Sequence, residues 1–160
     1  MSVTEAFLQE KTLEAFASLG LPVQPSTREV NVNGDAIFFA GCISFSGAWV
    51  GALVMEFSFE VAGKATEALF GVEADAGSDA ELKDTVGEVV NLVAGALMAE
   101  MPAPCTMSLS TVVKGFCFQL VIPDCQVIER LGFECDGNAF NVNVLEKQPR
   151  RMKDANSDCG

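Results

Sequence analysis

The sequence predicts an α+β domain in which helices cover one face of an antiparallel or mixed sheet. Apolar residues recur at helical spacing in three segments, residues 4–19, 60–70 and 78–101. Strand-like apolar runs occupy much of residues 37–59 and 106–145. This order, with helices grouped between runs of strands, favours separate helical and sheet layers over an alternating parallel fold.

The N-terminal half is predicted to contain a helix, a connector and a β-hairpin. Gly20 ends the first helix, and residues 21–26, with two prolines, form the connector. A tight turn at residues 46–48 joins two apolar runs, so we expect these runs to pair antiparallel. The strand candidates here are residues 30–33, 37–45 and 49–59.

The C-terminal half is predicted to extend the sheet. Its strand candidates are residues 106–113, 116–122 and 139–145, with residues 125–134 ambiguous. The turn sequence at residues 136–138 favours pairing of 127–135 with 140–145. We expect one domain over residues 1–146 and a disordered polar tail over residues 147–160. Five asparagines suit turns and strand edges and are assigned no site: Asn31, Asn33, Asn138, Asn141 and Asn143.

The composition excludes several classes of function. A net charge of −12 disfavours a nucleic-acid backbone or an anionic membrane as the partner. The absence of histidine excludes a Ser-His-Asp triad, a Cys-His pair and a histidine metal site. The first twelve residues lack an export signal, and no apolar run reaches the ~20 residues of a membrane span. We therefore expect a cytoplasmic protein whose six cysteines are reduced.

The helix predicted over residues 78–101 has two distinct faces. Ser78 or Asp79 caps its start, and Pro102 ends it. One face is apolar and carries Leu82, Val86, Val89, Val93 and Leu97. The opposite stripe carries Asp84, Glu88, Asn91 and Gly95, with Gly87 beside it. Glycine inside a helix costs about 1 kcal/mol relative to alanine, so two glycines here suggest that something approaches the helix closely.

Glu88 and Asn91 form a pair that suits chemistry on a partner protein. Because they are three positions apart, their side chains project side by side and reach the same object. A carboxylate grips a lysine or arginine, and a carboxamide offers a donor and an acceptor on one rigid group. Such an amide can orient a water for phosphoryl transfer, where positioning supplies most of the catalysis. The competing interpretation is an ordinary solvated helix face.

The segment DTVGEVVNLVAGALM resembles the signature helix of the CheC/CheX/FliY phosphatases of bacterial chemotaxis. The pattern is carried by Asp84, Gly87, Glu88, Asn91 and Gly95, and the similar order of elements covers most of residues 1–146. One copy of the signature is similar to CheX, whereas CheC typically carries two. Leu92 stands where methionine is common, and no lysine follows Gly95 in the usual place.

The resemblance implies a phosphatase for the aspartyl phosphate of a CheY-like response regulator. It implies that Asn91 orients the attacking water and that Glu88 contacts the regulator's lysine. Asp84, Gly87 and Gly95 would contact the same receiver domain. The resemblance also implies that the regulator supplies Mg²⁺, so that this chain needs no cofactor of its own, and that the chain forms a homodimer through its sheet.

Two other functional classes stay open at the level of sequence. The helix could dock a receiver domain or a motor-switch protein as a non-catalytic adaptor, although the presence of both Glu88 and Asn91 favours the enzyme. A sensor of a small ligand between helix and sheet has no sequence feature in its support.

Overall fold

The computed structural model describes residues 3–73 and 76–149. These residues form three helices and one antiparallel sheet, which confirms the predicted α+β class. The helices are α1 (Glu5–Ser18), α2 (Phe59–Phe70) and α3 (Asp79–Met98). The strands are β1 (Gln24–Pro25), β2 (Phe38–Gly47), β3 (Gly51–Ser58), β4 (Cys105–Met107), β5 (Thr111–Gly115), β6 (Cys125–Cys135) and β7 (Asn138–Lys147). Most of the predicted tail, residues 150–160, lies outside the described residues.

The sheet runs in the order β1-β6-β7-β3-β2-β4, and β5 also pairs with β2. The predicted β2–β3 hairpin is confirmed, with Phe38 opposite Ser58 and Phe45 opposite Gly51. The predicted pairing of β6 with β7 is confirmed as well, through a tight turn in which Asp136 and Gly137 both have positive φ. None of the helices in the described residues is both long and apolar enough to cross a membrane.

The main core lies between the sheet and the helices. Phe140 of β7 stacks on Phe16 of α1, with ring centroids 4.6 Å apart. Phe57 and Phe133, on the neighbouring strands, stack on the same ring at 5.7 and 5.2 Å. Aromatic pairs at such distances stabilise a core beyond the area that they bury. This packing fixes the helical layer on one face of the sheet.

Two segments predicted as strands cross the other face of the sheet instead. Residues 116–122 form no strand, yet Phe118, Leu120 and Ile122 still pack against the sheet. Phe118 stacks on Phe38 of β2, with centroids 4.3 Å apart. Residues 30–33 are also not a strand, although Val30 is buried beside Phe38. The alternation of apolar and polar residues in both segments therefore reflects packing on a face of the sheet and not pairing as a strand of the sheet.

The predicted connector at residues 21–26 contributes a short edge strand. Gln24 and Pro25 pair with Glu134 and Phe133 of β6. The Gln24 amide and the Ser26 hydroxyl donate to the Glu134 carboxylate. These two hydrogen bonds lower the pKa of Glu134, because they favour its charged form. The connector thus closes the β6 edge of the sheet.

The placement of two asparagines at strand edges is wrong. Asn141 and Asn143 lie in β7, an interior strand, and are 0% and 5% exposed. Both side-chain amides donate to Oε1 of Glu56 on β3, at 3.2 and 3.1 Å. Oδ1 of Asn141 also accepts from the backbone N–H of Val30 at 3.3 Å. The amides are buried because they hold a buried carboxylate and fasten residues near Val30 to the second face of the sheet.

Candidate functional site

Helix α3 begins where the sequence predicts. The hydroxyl of Ser78 accepts from the N–H of Glu81 at 3.2 Å, and the Glu81 carboxylate accepts from the N–H of Ser78 at 3.4 Å. This reciprocal capping box satisfies two backbone donors that a helix start leaves free. The helix is also tied to the sheet edge, because Lys114 of β5 donates to Asp79 Oδ1 at 2.7 Å. The N-terminal half of α3 is therefore held firmly beside β5.

The apolar face of α3 is confirmed. Its five predicted residues are all buried in the main core: Leu82, Val86, Val89, Val93 and Leu97. Gly41 of β2 lies directly beneath the helix, where a Cβ atom would meet Val90 Cγ2 at 2.6 Å. The helix therefore packs closely on β2 and turns its opposite stripe outward.

The outward stripe borders a shallow surface hollow of about 420 Å³. Asp84 and Glu88 are exposed, Asn91 is half-buried, and all three line this hollow together with Gly87. Gly95, further along the helix, is not among the residues that line it. The structure thus brings together four of the five predicted site residues in one place.

The side chains of Glu88 and Asn91 have no competing partner within the described part of the chain. The side-chain hydrogen bonds of α3 there involve Asp79, Glu81 and Thr85. None of the hydrogen bonds or ion pairs of residues 3–73 and 76–149 involves the Glu88 carboxylate or the Asn91 carboxamide. Both polar groups are thus available to an object that approaches from outside.

The two glycines of the stripe have different surroundings. A Cβ atom on Gly87 would lie 2.9 Å from Ser110 Oγ and 3.6 Å from Val112 Cγ2, so the close neighbour of Gly87 belongs to this chain. A Cβ atom on Gly95 would meet no atom within 4 Å. Packing within the chain therefore explains Gly87, while nothing in the described residues requires glycine at position 95.

The segment opposite Gly87 is a bulged edge strand. The sequence predicts one strand over residues 106–113, but the structure divides it into β4 and β5, both paired with β2. Met107 lies opposite Phe45 and Thr111 lies opposite Cys42. Between these pairs, the three residues 108–110 lie opposite only two residues of β2, 43 and 44. This extra residue is a β-bulge, a feature that bends an edge strand and redirects its side chains.

The bulge places residues at the site that sequence reasoning missed. Ser110 and Val112 line the hollow, as does Lys83 of α3, one position before the stripe. The structure reveals the inserted residue, because Met107 and Val112 both pack toward the helices although one position is odd and the other even. Side chains on one face of a regular strand lie an even number of positions apart, so an odd separation indicates an inserted residue.

The arrangement suits recognition of a protein surface. An acidic side chain and a carboxamide stand side by side on a rigid helix, next to a small neutral patch made by Gly87 and Ser110. The hollow is open and too shallow to enclose a small molecule, whose sites usually bury most of the ligand surface. The Glu88 carboxylate can bind a cation, and the Asn91 carboxamide can both donate and accept a hydrogen bond.

Comparisons with known proteins agree on one family. The model of the family described as chemotaxis phosphatase CheX matches residues 39–126. The crystal structure of the chemotaxis protein CheX from Vibrio vulnificus has a TM-score of 0.69 at 21% identity, covering 91% of this chain and 100% of that chain. A CheX structure from Desulfovibrio desulfuricans has a TM-score of 0.68 at 20% identity, with 87% and 96% covered.

A third similar structure contains two proteins. It is the complex of CheX, CheY, BeF3 and Mg²⁺ from Borrelia burgdorferi, with a TM-score of 0.57 at 18% identity, covering 87% of this chain and 97% of that chain. At these identities the solved structures show a shared fold. A search among curated proteins found no match.

Proposed function

The chain belongs to the CheX family of chemotaxis phosphatases, and we propose that it accelerates hydrolysis of the aspartyl phosphate on a CheY-like response regulator. The observation that carries this proposal is the pair of unpartnered polar groups, Glu88 and Asn91, side by side on the outward face of α3. The pair lies within the segment that the family model matches.

Asn91 is the proposed water-positioning residue. Its carboxamide carries an acceptor and two donors on one plane, so it can accept from a water while donating to an oxygen of the phosphoryl group. Hydrolysis of an acyl phosphate passes through a transition state in which a well-placed water and charge stabilisation supply most of the rate gain. The burial of Val90 and Val93 on either side of Asn91 in sequence holds the helix rigid at this point.

Glu88 is the proposed anchor for the regulator. One helical turn before Asn91, its exposed carboxylate can form a charge-assisted hydrogen bond with a lysine beside the phosphorylated aspartate. Asp84 extends the acidic stripe by a further turn, and Gly95 leaves the helix surface low enough for a protein to approach. Gly87 allows Ser110 of the bulge to reach the same surface. The Mg²⁺ that the reaction needs is supplied by the regulator, so this chain contributes no metal ligand.

The partner and the assembly belong to the same proposal. The Borrelia burgdorferi complex pairs a CheX with a CheY in the presence of BeF3 and Mg²⁺, which supports a receiver domain as the partner here. We also propose a homodimer, for which the exposed side chains of Val121 and Val127 offer apolar surface. A sedimentation experiment that finds only monomer at micromolar concentration would contradict the dimer.

Phosphate release from a phosphorylated receiver domain tests the function. We expect wild type to accelerate release, and we expect Asn91→Ala and Glu88→Ala to reduce that acceleration. Gln9→Ala, which removes a half-buried carboxamide from α1, and Glu67→Ala, which removes an exposed carboxylate from α2, are the matched controls. No acceleration by wild type with any receiver of the same organism would end the enzymatic proposal. A tight complex whose phosphate stays stable would favour the adaptor instead.

A further inference from the structure

Leu109 is the most exposed large apolar side chain of the described residues, at 91% exposure. A single exposed leucine on a protein surface needs no explanation. This one differs in its position, because it occupies the centre of the bulge between β4 and β5, beside the hollow of α3.

The backbone on both sides of Leu109 is fixed. Ser108 donates its N–H to the carbonyl of Ser44 at 2.9 Å, and its hydroxyl accepts from the N–H of Ser44 at 3.0 Å. The same hydroxyl donates to the carbonyl of Leu109 at 2.9 Å. On the other side, Ser110 rests against Gly87 of α3. Leu109 is therefore presented outward from a backbone that hydrogen bonds and packing hold in place.

The bulge and the polar stripe share one surface. Ser110, the next residue after Leu109, lines the hollow together with Glu88 and Asn91. Bulges at sheet edges commonly redirect a side chain next to a functional site. Leu109 is therefore one position along the chain from a residue of the hollow that Glu88 and Asn91 line.

We propose that Leu109 is an apolar anchor for the receiver domain, which it contacts beside the region bound by Glu88. This inference rests on the proposed function and adds a binding residue outside α3. Burial of one leucine side chain in an interface stabilises a complex by about 1.5–3 kcal/mol. The fixed backbone on both sides of Leu109 reduces the conformational freedom that is lost on binding. The serines on either side of Leu109 carry no charge that would oppose burial.

The substitution Leu109→Ser tests the anchor. We expect the KM for a phosphorylated receiver to rise about tenfold or more, as expected for loss of one buried leucine, while kcat stays within about twofold. Leu109→Met is expected to restore most of the affinity. Phe70→Ser, which removes a 51% exposed side chain at the end of α2, is the matched control and should leave KM unchanged. Thermal unfolding checks that each variant is folded.

Calorimetric binding of a BeF3-activated receiver separates the two proposals. A weaker Kd for Leu109→Ser with wild-type Kd for Phe70→Ser supports the anchor, whatever the rate of hydrolysis. Wild-type binding and KM in Leu109→Ser would overturn the anchor and leave the phosphatase proposal intact. An equal loss of receiver affinity in Phe70→Ser would also overturn the anchor, as would dissociation of the dimer in Leu109→Ser measured by sedimentation. If wild type binds no receiver, both proposals fail.

Discussion

Ser110 Oγ lies 2.9 Å from the point where a Cβ atom on Gly87 would stand. Real Cβ atoms essentially never approach another heavy atom this closely, so any larger residue at position 87 must displace Ser110. Because Ser110 belongs to the bulge, this contact couples the shape of the edge strand to the surface of α3. The absence of a side chain at position 87 is what allows the bulge to lie against the helix.

Gly87→Ala and Gly95→Ala are expected to change stability in opposite directions. Alanine in a helix interior is favoured over glycine by about 1 kcal/mol. Position 95 has open space and should realise much of that gain. At position 87 the contact with Ser110 should outweigh the gain, so Gly87→Ala should lower the free energy of unfolding. Chemical unfolding in urea measures both changes.

A double mutant assigns the Gly87 penalty to one atom. Ser110→Ala removes Oγ, and the nearest remaining atom, Val112 Cγ2, lies 3.6 Å away at ordinary contact distance. We therefore expect Gly87→Ala to be less destabilising in the Ser110→Ala background than in wild type. Equal effects of Gly87→Ala in both backgrounds would mean that the penalty arises elsewhere.

Glu88 and Asn91 should affect different kinetic constants. Asn91→Ala removes a group that acts on the water, so we expect kcat for dephosphorylation of the receiver to fall about 100-fold with little change in KM. Glu88→Gln keeps the shape of the side chain and removes its charge, so we expect a rise in KM of about tenfold. Steady-state kinetics over a range of receiver concentrations distinguish the two effects. If Asn91→Ala instead raised KM and Glu88→Gln lowered kcat, the proposed roles would be reversed.

Glu56 should be important for stability although it lies far from the proposed chemistry. Its Oε1 accepts from Asn141 and Asn143, and Arg130 Nη2 lies 4.0 Å from the same oxygen. Glu56→Ala leaves the buried Asn141 amide without an acceptor and leaves the Asn143 amide with only the carbonyl of Val54. An unsatisfied buried group costs about 1–3 kcal/mol. The free energy of unfolding should fall by at least that amount, whereas the exposed control Glu67→Ala should change it by about 0.5 kcal/mol or less.

Helix α3 was predictable because its signals are local. The cap at Ser78, the buried valines and the outward stripe all follow from spacing along one element. The hairpin β2–β3 and the turn at residues 136–138 were likewise determined by neighbouring residues. The α3 side of the site could therefore be predicted from the sequence.

The parts of the fold that the sequence predicts wrongly depend on contacts between residues far apart in the sequence. Residues 116–122 have the alternation of a strand, but their apolar side chains pack across the second face of the sheet. Asn141 and Asn143 look like edge residues until Glu56, on another strand, accepts from both amides. The β4–β5 bulge was missed because strand periodicity alone does not reveal an inserted residue. These features depend on tertiary partners that a local pattern does not identify.

The ion pair between Asp79 and Lys114 gives a prediction about pH. The hydrogen bond from Lys114 lowers the pKa of Asp79 below its ordinary value of 3.8, since it favours the charged carboxylate. A lowered pKa in the folded state adds stability above the unfolded value, and this contribution is lost as the pH falls through the folded value. An NMR titration of the carboxyl groups should show a low pKa for Asp79 that returns toward 3.8 in Lys114→Ala. The pKa of Glu134, lowered by Gln24 and Ser26 on the far edge of the sheet, should stay unchanged in that variant. If Asp79 titrates identically in both proteins, the contact that ties the first turn of α3 to β5 does not form in solution.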